Sequence, residues 1–104
     1  MDPAELGDVL AAQKGDEEAF GRLVRLRQGL VTALVASRVR GRSDVEDLAQ
    51  DVFLRAWRRL PELREPERFT GWLARIAVNA ALDHRRRAAV RPRGASLDEG
   101  GIDP

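Results

Sequence analysis

The sequence contains no cysteine and no tyrosine, and only one methionine and one histidine. The lack of cysteine excludes disulfides and thiolate metal sites, and His84 alone cannot assemble a histidine site. No spacing of Asp and Glu supports a site built from carboxylates only, so neither a metal nor another cofactor is expected. No apolar run reaches the roughly eighteen residues that a membrane span needs. The start Met1-Asp2-Pro3-Ala4-Glu5 is acidic, unlike the basic, then apolar, opening of a signal peptide. A soluble, cytoplasmic protein without a membrane role is therefore expected. There is also no nucleophile with a base beside it and no glycine-rich phosphate loop, so the chain is not read as an enzyme.

Period-two alternation is missing as well, while apolar residues recur at three- and four-residue spacing through most of the chain. The fold class expected is all-α, a compact bundle of three to four helices. With 104 residues and 43% hydrophobic content, one domain is the natural count. It is placed at residues 1–89. Residues 90–104 hold glycine and proline with few apolar side chains, and read as a disordered, flexible linker.

Turn signals divide the domain. Pro3 suits the first turn of a short helix carrying Leu6, Val9 and Leu10, which Gly15 ends. Asp16 can cap a longer segment whose stripe is Ala19, Phe20, Leu23, Val24, Leu26, Leu30, Val31, Leu34 and Val35, running to about Arg40, with Gly29 as a point of bending or division. Ser43 and Glu46 have the spacing of a capping box, which predicts a helix start at Ser43. That helix buries Val45, Leu48, Ala49, Val52, Phe53 and Ala56 and ends near Leu60, before Pro61. Glu62 to Glu67 is expected as a loop, followed by a last helix from about Phe69 to Ala88.

The formal net charge of +1 conceals a division. Up to Gly21, Asp2, Glu5, Asp8, Asp16, Glu17 and Glu18 stand against Lys14 alone. From Arg68 to Arg93, Arg68, Arg75, Arg85, Arg86, Arg87, Arg91 and Arg93 stand against Asp83. All the basic residues except Lys14 are arginine, which suits bidentate contacts to phosphates and base edges, although a GC-rich genome produces the same bias.

Two faces carry chemistry. After Ser43, the buried stripe leaves Asp47, Gln50, Asp51, Leu54, Arg55 and Arg58 outward. A solvated face accounts for the charges, and Leu54 among them hints at a partner helix. In the last helix, Phe69, Leu73, Ile76, Ala77 and Ala80 face inward. Trp72, Arg75, Asn79, Asp83 and Arg86 then share one outward stripe, which ends in Arg85-Arg86-Arg87. An aromatic surface, a guanidinium, an amide and phosphate-binding arginines are the parts needed to stack bases, read their edges and hold a backbone. The plainer alternative makes Trp72 core, Asn79 a solvated amide and the arginine run a favourable helix C-terminus. His84 is given a surface or packing role.

The stretch Asp44-Val45-Glu46-Asp47-Leu48-Ala49-Gln50-Asp51-Val52-Phe53-Leu54-Arg55-Ala56-Trp57, then Phe69-Thr70-Gly71-Trp72-Leu73-Ala74-Arg75-Ile76-Ala77-Val78-Asn79, then Asp83 and Arg85-Arg86-Arg87, closely resembles region 2 of the extracytoplasmic-function (ECF) bacterial sigma factors. The resemblance covers about residues 14 to 88. It implies a promoter minus-ten recognition and melting domain of an alternative sigma factor, which directs transcription initiation. It implies that the helix over Asp44 to Arg59 docks on the clamp helices of the RNA polymerase beta-prime subunit through Asp47, Gln50, Asp51, Leu54 and Arg55.

For the promoter non-template strand it implies a surface of Leu63, Arg68, Thr70, Trp72, Arg75, Asn79, Asp83, Arg85, Arg86 and Arg87, with one base flipped into a loop pocket. Leu63 stands where many members carry an aromatic residue. An anti-sigma factor is implied as a further partner. Members normally continue into a C-terminal helix-turn-helix domain, so residues 90–104 are expected to lead toward one that this chain lacks. The competing reading is a helical protein-interaction module that binds polymerase or an anti-sigma factor without reading DNA.

Overall fold

A computed structural model of the chain describes residues 1–90, and every regular element among them is helical. Four α-helices follow in order: α1 (Pro3–Gln13), α2 (Glu17–Ala36), α3 (Arg42–Arg59) and α4 (Phe69–Val90). This is the all-α bundle that the periodicity predicts. The linker expected beyond α4 lies outside the described residues, except that Val90 closes α4.

Local chemistry sets most boundaries. Asp2 caps α1 by accepting from the Glu5 amide, and Pro3 occupies the first turn, where its missing N–H costs nothing. Gly15 takes φ +102°, which lets the chain reverse at once. Asp16 then caps α2 by accepting from the Ala19 amide at 3.2 Å. α2 continues unbroken through Gly29 and stops at Ala36, earlier than the Arg40 expected, with Val39 still buried beyond its end.

The predicted capping box does not form. The N-cap is Gly41, at φ +94°, and no side chain caps α3. Ser43 and Glu46 are therefore already inside the helix, two and five residues past its N-cap rather than at the N-cap and third positions that a capping box needs. Pro61 ends α3 as expected, but the connection to α4 is not a plain loop. It contains two 3₁₀ turns, Leu60–Glu62 and Pro66–Arg68, each with a proline in its first turn.

α2 packs against all three other helices, and α3 packs on α4. The core is Val9, Ala12, Leu23, Val31, Val35, Val52, Ala56, Leu60, Phe69, Leu73, Ala77, Ala80 and Ala81, with Val45, Leu48 and Ile76 at its edge. One member of the predicted stripe is displaced: Leu26 is 56% exposed. It follows Arg25 on the outer side of α2, and the adjacent turn presents Arg27 inward instead.

Arg27 is drawn in because Glu5, only 4% exposed, lies opposite it. The guanidinium donates twice, Nε to Oε2 at 2.9 Å and a terminal nitrogen to Oε1 at 2.7 Å. Nearer the α1–α2 turn, Asp8 holds Arg22 at 2.9 Å, and that carboxylate raises the Arg22 pKa above its ordinary value. α1 is thereby fixed to α2 by ion pairs as well as by Val9 and Ala12.

Losing one partner of a buried pair leaves the other charge without compensation, which costs about 3–5 kcal/mol. Arg27→Ala should lower the unfolding free energy by roughly that amount. Glu5→Gln with Arg27→Met should lose much less, and urea unfolding of the two variants measures the difference.

Candidate nucleic-acid interface

The connection between α3 and α4 folds over the start of α4 and leaves an open cavity between them. Its lining is Leu63, Arg64, Glu65, Arg68, Gly71, Trp72 and Arg75. At about 700 Å³ it lies within the range of small-ligand clefts, ~300–1,000 Å³. Trp72 forms the apolar wall. It is half-buried, packed on the core, with its ring centroid 6.0 Å from that of Phe69. Arg68 is tied to Glu65 at 2.6 Å across one 3₁₀ turn. The lining thus combines an aromatic face with guanidinium groups.

Along α4 the expected stripe continues from this cavity. Arg75, Asn79 and Arg86 are exposed and Asp83 is half-buried, while Leu73, Ile76, Ala77 and Ala80 are buried behind them. Asp83 and Arg86 pair with one another across a helical turn. Arg85 and Arg87 are exposed at the end of the helix. Of the residues expected on this surface, Leu63, Arg68, Trp72 and Arg75 meet around the cavity, and Asn79, Asp83, Arg86 and Arg87 extend from it along α4, whereas Arg85 lines a separate cavity with Arg38, Arg40, Asp44 and His84. Thr70 stands apart, because its hydroxyl lies 3.4 Å from Glu5 Oε2, toward α1.

A second surface lies on α3 and the start of α2. Asp47 and Gln50 are exposed, and Leu54 is 49% exposed. Asp51 and Arg55 form an intrahelical pair at 2.8 Å. Leu54 and Gln50 border a largely apolar groove completed by Glu17, Phe20, Phe53 and Trp57, in which the Phe20 and Trp57 rings are 4.9 Å apart.

The model of the Sigma-70 region 2 family matches residues 23–91. The chain belongs to the sigma-70 region 2 family. It is 42% identical over 81 residues to a probable RNA polymerase sigma factor, RfaY, of Xanthomonas campestris pv. campestris, covering 78% of this chain and 20% of that protein. It is 41% identical over 90 residues to the ECF RNA polymerase sigma-E factor of Escherichia coli K12, covering 86% of this chain and 47% of that protein. The chain thus spans half or less of these relatives.

Among solved structures, it resembles an engineered region 2 of sigmaE in complex with GTAAAA. The TM-score is 0.75 at 35% identity, covering 95% of this chain and all of that one. It also resembles CnrH in complex with the cytosolic domain of CnrY, with TM-score 0.72 at 35% identity, covering 83% of this chain and 57% of that one.

In this region 2 domain the sequence alone missed the groove and part of the cavity lining. Phe20 and Phe53 were placed in core stripes. The signal that separates them is their position at the margin of each stripe, where a side chain is only half covered. Arg64 and Glu65, between the two 3₁₀ turns, fall within the Leu63–Thr70 loop expected on the DNA surface, whereas Gly71, in the first turn of α4, lines the cavity with no residue pattern to announce it. His84 packs half-buried with Nε2 3.7 Å from Asp44 Oδ2, linking α4 to the start of α3. Among the described residues, no group of three or more side chains is arranged to hold a metal ion, and no helix is long and apolar enough to cross a membrane.

Because the outward side chains of α3 bear little of the packing, Asp47→Ala, Gln50→Ala and Leu54→Ala should each leave stability within about 0.5 kcal/mol of the parent. Thermal unfolding of the three variants beside Val52→Ala, a buried control, checks this.

Proposed function

We propose that this domain recognises and helps melt the promoter minus-ten element for an alternative sigma factor of the ECF group. In this reading the cavity between the 3₁₀ turns and α4 takes one unstacked base of the non-template strand, and the α4 stripe reads and holds its neighbours. The observation that carries it is the continuity of an aromatic-walled cavity with Arg75, Asn79 and Arg86 on one helix face. Unstacking a base costs a few kcal/mol, which stacking and edge contacts in such a site can offset.

The roles divide by chemistry. The Asn79 amide offers a donor and an acceptor side by side, matching the edge of adenine, and the sigmaE relative was solved with the adenine-rich GTAAAA. Arg85, Arg86 and Arg87 suit phosphates. The Asp83–Arg86 pair is exposed and therefore weak, so a phosphate can displace the carboxylate. Leu63 contributes packing at the rim, where an aromatic residue would add a stacking face.

On α3, Asp47, Gln50, Asp51, Leu54 and Arg55 dock on the beta-prime clamp helices, with Leu54 entering an apolar contact and the acids providing charge complementarity. The domain would act in the cytoplasm as a binding module, where an anti-sigma factor masks one or both faces.

The groove of Phe20, Phe53, Leu54 and Trp57 favours a second reading, in which protein partners are the sole ligands and DNA is never touched. Titration with single-stranded minus-ten oligonucleotides separates the two. Asn79→Ala should lose preference among sequences, about 1–3 kcal/mol at the matched base, and keep the salt dependence. Arg87→Ala should weaken all sequences alike and flatten the log–log salt slope by roughly 0.7. Absence of any salt-dependent binding to these strands would sink the promoter reading and leave the protein-interaction module.

A further inference from the structure

Gln13 is the last residue of α1, far in sequence from the cavity, yet it is bonded to the cavity's rim. Its Nε2 donates to the Leu60 carbonyl at 3.1 Å and to the Leu63 carbonyl at 2.8 Å. These two carbonyls bracket the first 3₁₀ turn, which the Leu63 amide closes by donating to the Leu60 carbonyl at 3.0 Å. At Leu63 the backbone leaves helical geometry for an extended ψ of 113°. From there Leu63, Arg64 and Glu65 form one side of the cavity. A single amide nitrogen therefore holds the point at which the rim departs from α3.

The anchor behind that nitrogen is rigid. α1 is joined to α2 by the doubly bonded Glu5–Arg27 pair, and Glu5 Oε2 also lies 3.4 Å from the Thr70 hydroxyl on α4. Both margins of the cavity are thus tied to α1, the rim through Gln13 and the start of α4 through Glu5. Gln13 itself is half-buried and does not line the cavity.

We propose that Gln13 is a positioning residue for the base-binding cavity, one that never touches DNA but holds the Leu60–Leu63 turn in the shape that admits an unstacked base. The inference rests on the promoter reading above. Its chemistry requires two donors on one nitrogen, which the glutamine amide supplies without placing a charge at the turn. A glutamate in the same place offers acceptors to two carbonyl oxygens and repels them, whereas its protonated form regains one donor. When the rim is shaped for only a fraction of the time, apparent affinity falls by that fraction, and only for strands that use the cavity.

The test is fluorescence anisotropy with the single-stranded hexamer GTAAAA and with a set in which each base in turn is replaced by an abasic site. It compares the parent domain, Gln13→Glu and Gln13→Met at pH 8 and pH 5. The parent should show one position at which base removal weakens binding through the cavity. Both variants should bind the intact hexamer about tenfold more weakly at pH 8, the expected size when about two ordinary hydrogen bonds are lost. They should no longer distinguish base from abasic site at that position, while keeping the parent's preferences elsewhere. Gln13→Glu, relative to the parent at the same pH, should recover part of the loss at pH 5, and Gln13→Met should not.

Should Gln13→Glu fail to fold, Gln13→Met carries the same comparison. Equal abasic penalties in parent and variants at every position would overturn the positioning role. A parent domain that binds the hexamer but ignores every base removal would instead overturn the base-cavity reading itself.

Discussion

The inner seam of α4 constrains nearly everything else. Phe69, Leu73 and Ile76 fill the middle of the bundle, and Ala77, Ala80 and Ala81 keep the next two turns thin, so that α2 and α3 can lie close against them. At 3.6 residues per turn, burying that seam leaves no choice about what faces away. Arg75 and Asn79 are outward because their neighbours must be inward. Rotating the helix by one residue, about 100°, would put the Asn79 amide into hydrocarbon and expose an alanine face, and each polar group so buried would cost kilocalories. The surface that meets a partner is therefore set by packing rather than by the partner.

The same argument explains why α3 and α4 were the most legible parts of the sequence. Each shows a dense apolar stripe and a chemically coherent complement, and both were found where the spacing placed them. Legibility failed where the outcome depends on competition between residues far apart. Ser43 with Glu46 has the pattern of a cap, but Gly41 can adopt φ +94° and starts the helix earlier. Leu26 was expected inside, but Arg27 takes the inward position because a buried carboxylate on α1 attracts it. The two 3₁₀ turns answer to Pro61 and Pro66 in the context of the packed helix ends, and the hydrogen bonds of Gln13 span about fifty residues of chain. No local window contains such information.

α1 has a structural standing that its composition conceals. It precedes the stretch matched by the family model, it is short, and two of its inward side chains, Glu5 in the first turn and Gln13 at the last position, are polar. Its part in the bundle is nonetheless to supply fixed points: Val9 and Ala12 for the core, Glu5 for α2 and α4, Gln13 for the turn after α3. The two surfaces are then carried by separate helices on one rigid frame. The groove of Phe20, Phe53 and Trp57 can be filled without moving the stripe of Arg75 and Asn79, so occupation of one face need not disturb the other.

Three of the outward arginines have an acid of their own within one helical turn: Arg55 with Asp51, Arg68 with Glu65 and Arg86 with Asp83. Each pair is exposed at least in part and therefore weak, so the cation can leave its own carboxylate for another anion at little cost. While the pair is closed, the acid offsets the charge of its arginine and lowers the local positive potential, the field that draws a protein toward polyanions in general.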